Sequence, residues 1–378
     1  MVQQENKNSI MKIACIISYT YLPAFSGGQK LIAGFYENLA EVTDLHAFGT
    51  PENDISLVKN YQLMDILRSS RLRYADLSAF FKIRNYLKKQ QIKTLIIEHP
   101  FLGWLGWMLR KSCGLKLIIH THNVEYQRFR SLGKNWWWLL KQYEKWVLQK
   151  ADLVFCITEE DRNTMITELH VSPGKCVIVP YGIHHEKVPS GKQETKKSVC
   201  EEFNIPQQDF LLFFNGLLNY KPNIDALDVI LNKINPLLLQ KNFTYKILIA
   251  GKHLPPEYNS LTRWNRQNIM YLGFVDDIDR YTFAADILLN PVLSGGGVKT
   301  KMVEAIALGT TVVANETGAS GMDSAICGDK LIICKDNDWT SFADAVMNCK
   351  SQTSPTPELF YKKHYWGNII SNLLGWLS

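Results

Sequence analysis

Short, continuous apolar runs recur along the chain, each separated from the next by a helical stretch. In the first half they are KIACIIS (12–18), TLIIEH (94–99), LKLIIHTH (115–122), DLVFCIT (152–158) and KCVIVP (175–180). After a polar stretch, Glu186–Lys197, the pattern restarts with DFLLFFNG (209–216), YKILIAG (245–251), NIMYLGF (268–274), DILLNP (286–291), TTVVAN (310–315) and KLIIC (330–334). Strands apolar throughout, rather than alternating, are buried on both faces, which is the signature of a parallel sheet sandwiched by helices. Two such series joined by a polar linker predict an α/β protein of two Rossmann-like domains facing a cleft, and 378 residues suit two domains. Helices are expected near 30–40, 224–240 and 303–308, with an amphipathic one over 358–377. The expected boundaries are 1–188 for the first domain, 189–357 for the second and 358–378 for the terminal segment. In such sheets ligands bind at the C-terminal ends of the strands.

Other classes are excluded. No apolar run reaches the 18 or so residues of a membrane span. The start, polar for ten residues, lacks the features of a signal peptide and is expected to fray. The eight cysteines form no C-x-x-C pair and read as small buried residues in a reducing cytosol. The net charge of +6 comes entirely from the first half. Nine basic residues fall within 59–93, opposed only by Asp65 and Asp76. Such a patch attracts anionic partners, and with no nucleic-acid-binding signature beside it no nucleic acid is expected. The stretch 130–150 mixes Trp136, Trp137, Trp138 and Trp146 with Lys134, Lys141, Lys145 and Lys150. Neighbours on a helix are about 100° apart, so three consecutive tryptophans cannot share one buried face. Together these features raise an anionic membrane surface as a partner.

The chemistry concentrates in Asn290–Gly321. A strand leads into Ser294-Gly295-Gly296-Gly297 and then a helix. Glycines let the backbone approach a ligand, and the helix N-terminus favours a phosphate. Lys299 and Lys301 flank that end, and Glu304, about 7 Å along the axis, is placed to accept hydrogen bonds from ribose hydroxyls. In the first half, His120, His122, Asn123 and Glu125 cluster just past a strand end, and Ser26-Gly27-Gly28 opens a helix after the first strand. Asp336-Asn337-Asp338 and Asp276-Asp277 read as helix caps, and no metal site is expected. Glu159-Glu160-Asp161 reads as the acidic first turn of a helix.

The block G-G-G-x-K-x-K-x-x-E-A-x-A-x-G-x-x-V-V, Gly295–Val313, resembles the donor-binding region of GT-B glycosyltransferases, especially family 4. NGLLNYKPNIDAL (215–227), YLGFVDDIDRY (271–281), VPYGIH (179–184) and YWGNIISNLLGWL (365–377) resemble further family segments in order. The resemblance implies that Glu304 holds the nucleotide ribose and that the amides of Gly295, Gly296, Gly297 and Val298 hold the diphosphate. It implies that Gly216 and Lys221 face the diphosphate and that Gly273, Phe274 and Val275 read the base. The last helix is implied to return to the first domain. Gly27, Gly28, His120 and Asn123 are expected on the acceptor side, with His122, Lys221 and Lys299 as catalytic groups. Two positions depart from the family: Gly296 stands where a second glutamate is usual, and Leu217 where an arginine is.

The resemblance implies a transferase that moves a sugar from a nucleotide sugar to the hydroxyl of a glycan or lipid-linked acceptor, with retention and without a cofactor. The expected location is cytoplasmic, peripheral on the inner membrane face. Alternatives are a nucleotide-sugar epimerase on the same fold and a binding subunit without turnover.

Overall fold

The computed structural model describes residues 10–241, 243–349 and 354–377. The expectation that the first ten residues fray lies outside these, save Ile10. The chain divides into two compact units, Met1–Gly182 with Trp366–Ser378, and Ile183–Tyr365.

The first unit is built on seven parallel strands: β1 (Lys12–Ile16), β2 (Asp44–Gly49), β3 (Gln62–Asp65), β4 (Thr94–Glu98), β5 (Lys116–His120), β6 (Leu153–Cys156) and β7 (Cys176–Ile178). Their order in the sheet is β3-β2-β1-β4-β5-β6-β7. The strand sequence reverses direction between β1 and β4, which makes that junction the topological switch point where ligands bind. Ile13, Ile16, Leu95, Ile97, Leu117 and Ile119 are fully buried, as parallel strands covered on both faces require.

The second unit holds β8 (Phe210–Asn215), β9 (Tyr245–Ala250), β10 (Ile269–Gly273), β11 (Ile287–Asn290), β12 (Thr311–Asn315) and β13 (Leu331–Cys334), in the order β10-β9-β8-β11-β12-β13. Its switch point lies between β8 and β11. The helix expected at 224–240 starts at Lys221 and passes through a π turn, Ile230–Ile234, before ending at Leu239. Pro236 lacks the N–H that an unbroken helix would need there, and the wider turn accommodates it.

Three expectations are corrected. The polar stretch 186–197 is not a free linker: Val188 packs on Gly309, and Lys192 opens a helix, Lys192–Glu202, inside the second unit. The Lys192 ammonium donates to Phe283 O, Ala285 O and Thr310 Oγ1 at 2.6–2.8 Å. The unit boundary therefore falls after Gly182, where Ile183 N–H donates to His364 O at 2.7 Å and bridges to Tyr365. The terminal helix is two, Glu358–His364 and Trp366–Leu377, broken at an extended Tyr365. The former stays in the second unit, where Tyr361 Oη donates to Ala307 O at 2.7 Å. The latter belongs to the first unit, where Thr94 Oγ1 donates to Leu377 O at 3.0 Å. Its Trp366 is 1% exposed and lies under Gly34 and Gly182.

Burial lowers the Lys192 amine to about 7. Its folded value lies below the ordinary one, so above about pH 7 the unfolded chain binds more protons and this group makes the second unit more stable as pH rises. Lys192→Met should flatten that slope between about pH 7 and 9 in urea titrations of the second unit. An unchanged slope would place the titration elsewhere.

Candidate active site

In the second unit the glycine loop leaves β11 at the switch point and enters the helix Thr300–Ala307. Gly295 and Gly297 take φ of 89° and 71°, a left-handed backbone that side chains with a Cβ resist. A Cβ on Gly295 would lie 3.4 Å from both Tyr220 Oη and Pro222 Cγ, so the loop after β8 and the glycine loop meet. The first-turn N–H groups of the 300–307 helix have no partners inside it and face the loop side. Glu304 is half-buried one turn further on.

The lysines differ from one another. Lys299 Nζ folds back to donate to Gly295 O and Gly297 O at 2.9 and 3.0 Å, holding the loop's shape. Lys301 is the buried one: its Nζ donates to Asn215 O at 3.1 Å and sits 4.5 Å from the centre of the Phe214 ring. Burial, then the charge of Lys299, lowers it to about 7. Lys221 is mostly exposed and paired along its own helix with Asp225 at 2.8 Å. Gly216 follows β8; a Cβ there would fall 2.6 Å from Asn223. Gly273 ends β10 with φ 71°, Phe274 is exposed with Lys252 Nζ over its ring at 3.8 Å, and Val275 is half-buried. Gly296 and Val298 complete the loop.

Sequence reasoning missed three asparagines. β8, β11 and β12 are neighbours, and each ends in one: Asn215, Asn290 and Asn315. Each has a buried Oδ1 without a hydrogen-bond partner. Three polar strand tips in a row at a switch point were legible once the strands were placed. The acidic motifs are caps: Asp277 accepts from Arg280 N–H, and Asp338 from Ser341 N–H, both at 3.0 Å. Asp336 accepts from Asn315 and Thr317.

In the first unit, the helix Gly27–Ala40 begins beside the switch point. Ser26 caps it, accepting from Gln29 N–H at 3.4 Å, while Gln29 Oε1 accepts from Ser26 N–H at 2.9 Å. A Cβ on Gly28 would sit 3.6 Å from Tyr19 Oη and 3.8 Å from His122 Nδ1, so the expected glycine loop and histidine do converge. His120 does not join them as a ligand-facing group. It is fully buried between Phe35 and Phe155, with Nδ1 3.0 Å from Glu98 Oε1. Asn123 is half-buried in the loop that follows.

Two acids and a histidine that the sequence had not singled out as a group complete this site. Glu98 ends β4, fully buried, and accepts from Tyr36 Oη at 2.6 Å and from His122 Nε2 at 2.6 Å. His99 contacts Glu125 Oε1 through Nδ1 and Tyr19 Oη through Nε2, both at 3.0 Å, and its ring lies 4.1 Å from that of His122. Arg128 pairs with the other Glu125 oxygen at 2.7 Å. Burial alone would raise Glu98, but His120 and His122 outweigh it and hold the carboxyl far below its usual range. Burial opposes ionisation of Glu125 too, and His99 and Arg128 overcome it. Burial, reinforced by His99, lowers His122 to about 4, which leaves it neutral at neutral pH. Glu98, His120 and His122 offer ligand-type atoms within 4.8 Å of one another, a cluster the sequence did not disclose.

Two Rossmann-like units, one carrying a glycine loop on a helix N-terminus and the other a histidine–carboxylate cluster, define the GT-B class. Residues 41–187 match the family model described as Glycosyltransferase Family 4, and 209–351 match that described as Glycosyl transferases group 1. The chain belongs to these glycosyltransferases.

It is 23% identical over 256 residues to the UDP-Gal:alpha-D-GlcNAc-diphosphoundecaprenol alpha-1,3-galactosyltransferase of Escherichia coli, covering 64% of this chain and 63% of that protein. The match thus spans less than two thirds of the curated relative's length. HepE of Anabaena in complex with UDP superposes with a TM-score of 0.74 at 12% identity, covering 97% of this chain and 99% of that one. Sucrose-phosphate synthase from Thermosynechococcus elongatus gives 0.68 at 14% identity, covering 97% and 95%. At these identities the structural likeness speaks for the fold.

Proposed function

We propose that this protein transfers a glycosyl group from a nucleoside diphosphate sugar to an acceptor hydroxyl, with retention. The carrying observation is the β11 glycine loop, which meets a helix N-terminus at the switch point with Glu304 one turn behind. The bond from the sugar's C1 to the diphosphate oxygen breaks, and the diphosphate leaves with the electron pair. A bond from C1 to the acceptor oxygen forms, and the hydroxyl proton departs to the leaving phosphate. Loop amides, the helix end and the Lys301 ammonium support the growing negative charge. Lys299 contributes by holding the loop in shape, and Lys221 at the exposed mouth is the weaker electrostatic contributor. Gly273–Val275 lie at the tip of β10, where a base would be read.

The test is a panel of nucleotide sugars with acceptor, in excess EDTA, monitored for nucleotide release and product. Acceptor-dependent release that survives the chelator is expected. Complete loss restored by Mg²⁺ or Mn²⁺ would contradict the metal-independent reading, and an altered sugar nucleotide formed without acceptor would favour an epimerase.

The acceptor reading is a lipid-linked glycan, the class named for the E. coli relative. No helix among the described residues is long and apolar enough to cross a membrane. The first unit instead carries surface features suited to docking. Leu72, Leu77 and Phe81 are exposed, as are Arg71, Lys82, Lys88, Lys89 and Lys93 in the same stretch of sequence. Trp136 and Trp138 are about half exposed, whereas Trp137 packs on the core, as three consecutive tryptophans required. Each cation near an anionic surface contributes about 1 kcal/mol. The protein should float with anionic vesicles at low salt and be released as the Debye length shortens from about 10 Å at 0.1 M to about 3 Å at 1 M. Failure to float with anionic vesicles at low salt would leave a soluble acceptor as the reading.

A further inference from the structure

Glu98 takes no part in the transfer chemistry above, yet it lies at the centre of the first unit's switch point. Its Oε1 faces Tyr36 Oη and His120 Nδ1, and its Oε2 faces His122 Nε2. An ionised carboxylate only accepts, so each imidazole nitrogen facing it carries the hydrogen. A neutral imidazole has one N–H, which leaves the opposite nitrogen of each ring with a lone pair. Those opposite nitrogens, His122 Nδ1 and His120 Nε2, are both buried without a hydrogen-bond partner. His120 Nε2 belongs to a ring enclosed by Phe35 and Phe155. His122 Nδ1 instead lies toward Gly28, in the first turn of the Gly27–Ala40 helix and next to Tyr19 Oη.

A Cβ on Gly28 would stand at contact distance from Nδ1, 3.8 Å, so the glycine is the nearest approach of the helix to that nitrogen's lone pair. Both histidine nitrogens nearest Glu98 stand at hydrogen-bond distance from it, 3.0 Å for His120 Nδ1 and 2.6 Å for His122 Nε2.

We propose that Glu98 is a positioning residue that fixes His122 as the Nε2–H tautomer, so that Nδ1 accepts a hydrogen bond from a substrate hydroxyl seated beside Gly28. The proposal rests on the glycosyltransferase reading. Which nitrogen is protonated is set by the partner of the other, the general logic of histidine–carboxylate pairs. His99, held by its own carboxylate Glu125, packs against the His122 ring and limits its rotation.

The test combines Glu98→Gln, His122→Ala and the double variant with ¹⁵N NMR of the unaltered protein, assigning His122 by difference from His122→Ala. In the unaltered protein His122 should show a protonated Nε2 and a bare Nδ1 at neutral pH. A carboxamide can offer N–H where the carboxylate only accepted, so Glu98→Gln should lower acceptor kcat/KM by about ten- to a hundredfold. Nucleotide affinity, a property of the second unit, should stay unchanged. In the His122→Ala background the same substitution should cost less than about threefold, since two residues acting as one are not additive. A protonated Nδ1 in the unaltered protein, full transfer activity in Glu98→Gln, or equal cost in both backgrounds would each overturn the proposal while leaving the glycosyltransferase reading intact. If the unaltered protein binds no nucleotide sugar, the parent reading fails and this one with it. The spectrum of the unaltered protein decides the tautomer even where Glu98→Gln does not fold.

Discussion

Glu304→Ala is expected to lower nucleotide-sugar affinity by ten- to a hundredfold while the protein melts at an unchanged temperature. The residue lies one turn into the Thr300–Ala307 helix, behind the glycine loop and half-buried. On the proposed function a carboxylate there accepts from ribose hydroxyls, and losing hydrogen bonds to a charged acceptor costs about 1.5–3 kcal/mol. Alanine has the highest helix propensity, so the helix itself gains rather than loses. Calorimetric titration with the nucleotide sugar, beside a thermal melt, checks both halves. Unchanged affinity would take Glu304 out of the site, and a lowered melting temperature would make its role structural.

Trp366→Ala should have the larger effect on stability, confined to one unit. The indole is packed so closely that a Cβ on Gly182 would fall 2.1 Å from its Cδ2, and one on Gly34 2.8 Å from its Nε1. Removing a buried tryptophan forfeits its transfer free energy and leaves a cavity, together about 3–5 kcal/mol. In denaturant titrations the transition of the first unit should move to lower concentration and that of the second should stay. Nucleotide binding, which the proposed function assigns to the second unit, should persist below the first transition. A shift in the second transition alone would contradict the assignment of this helix.

Much of this was legible because parallel strands buried on both faces are written as uninterrupted apolar runs. Every run named in the sequence proved to be a strand. The two strands missed depart from that pattern. β2 carries Asp44 and His46 within its six residues, and β3, at the edge, has only four residues, with Gln62 and Asp65 exposed. The glycine loop and its helix were readable because strand, loop and helix follow one another in a single local string of residues. The first unit's cluster was only half readable, because it is assembled across strands. His122 was found beside its own strand end, while its partner Glu98 sits at the tip of a neighbour in the sheet but 24 residues away in sequence. The run TLIIEH did offer a signal, an apolar strand closing on Glu-His at the end where ligands bind. Lys192 misled for the opposite reason. Charge in a sequence suggests solvent, and nothing local reveals that an ammonium is satisfied by two main-chain carbonyls and a threonine hydroxyl inside the fold.

The chain leaves the first unit at Gly182 and re-enters it at Trp366, so the whole of the second unit is spelled out inside the first. On a ribosome adding about 5–20 residues per second, the intervening stretch takes on the order of 10–40 s. During that interval the nascent first unit has its seven strands but not the helix that fills the space under Gly34 and Gly182. The second unit, contiguous in sequence, can close on itself first. Until residue 366 has been added, the first unit lacks the buried indole that lies against those two glycines in the finished fold.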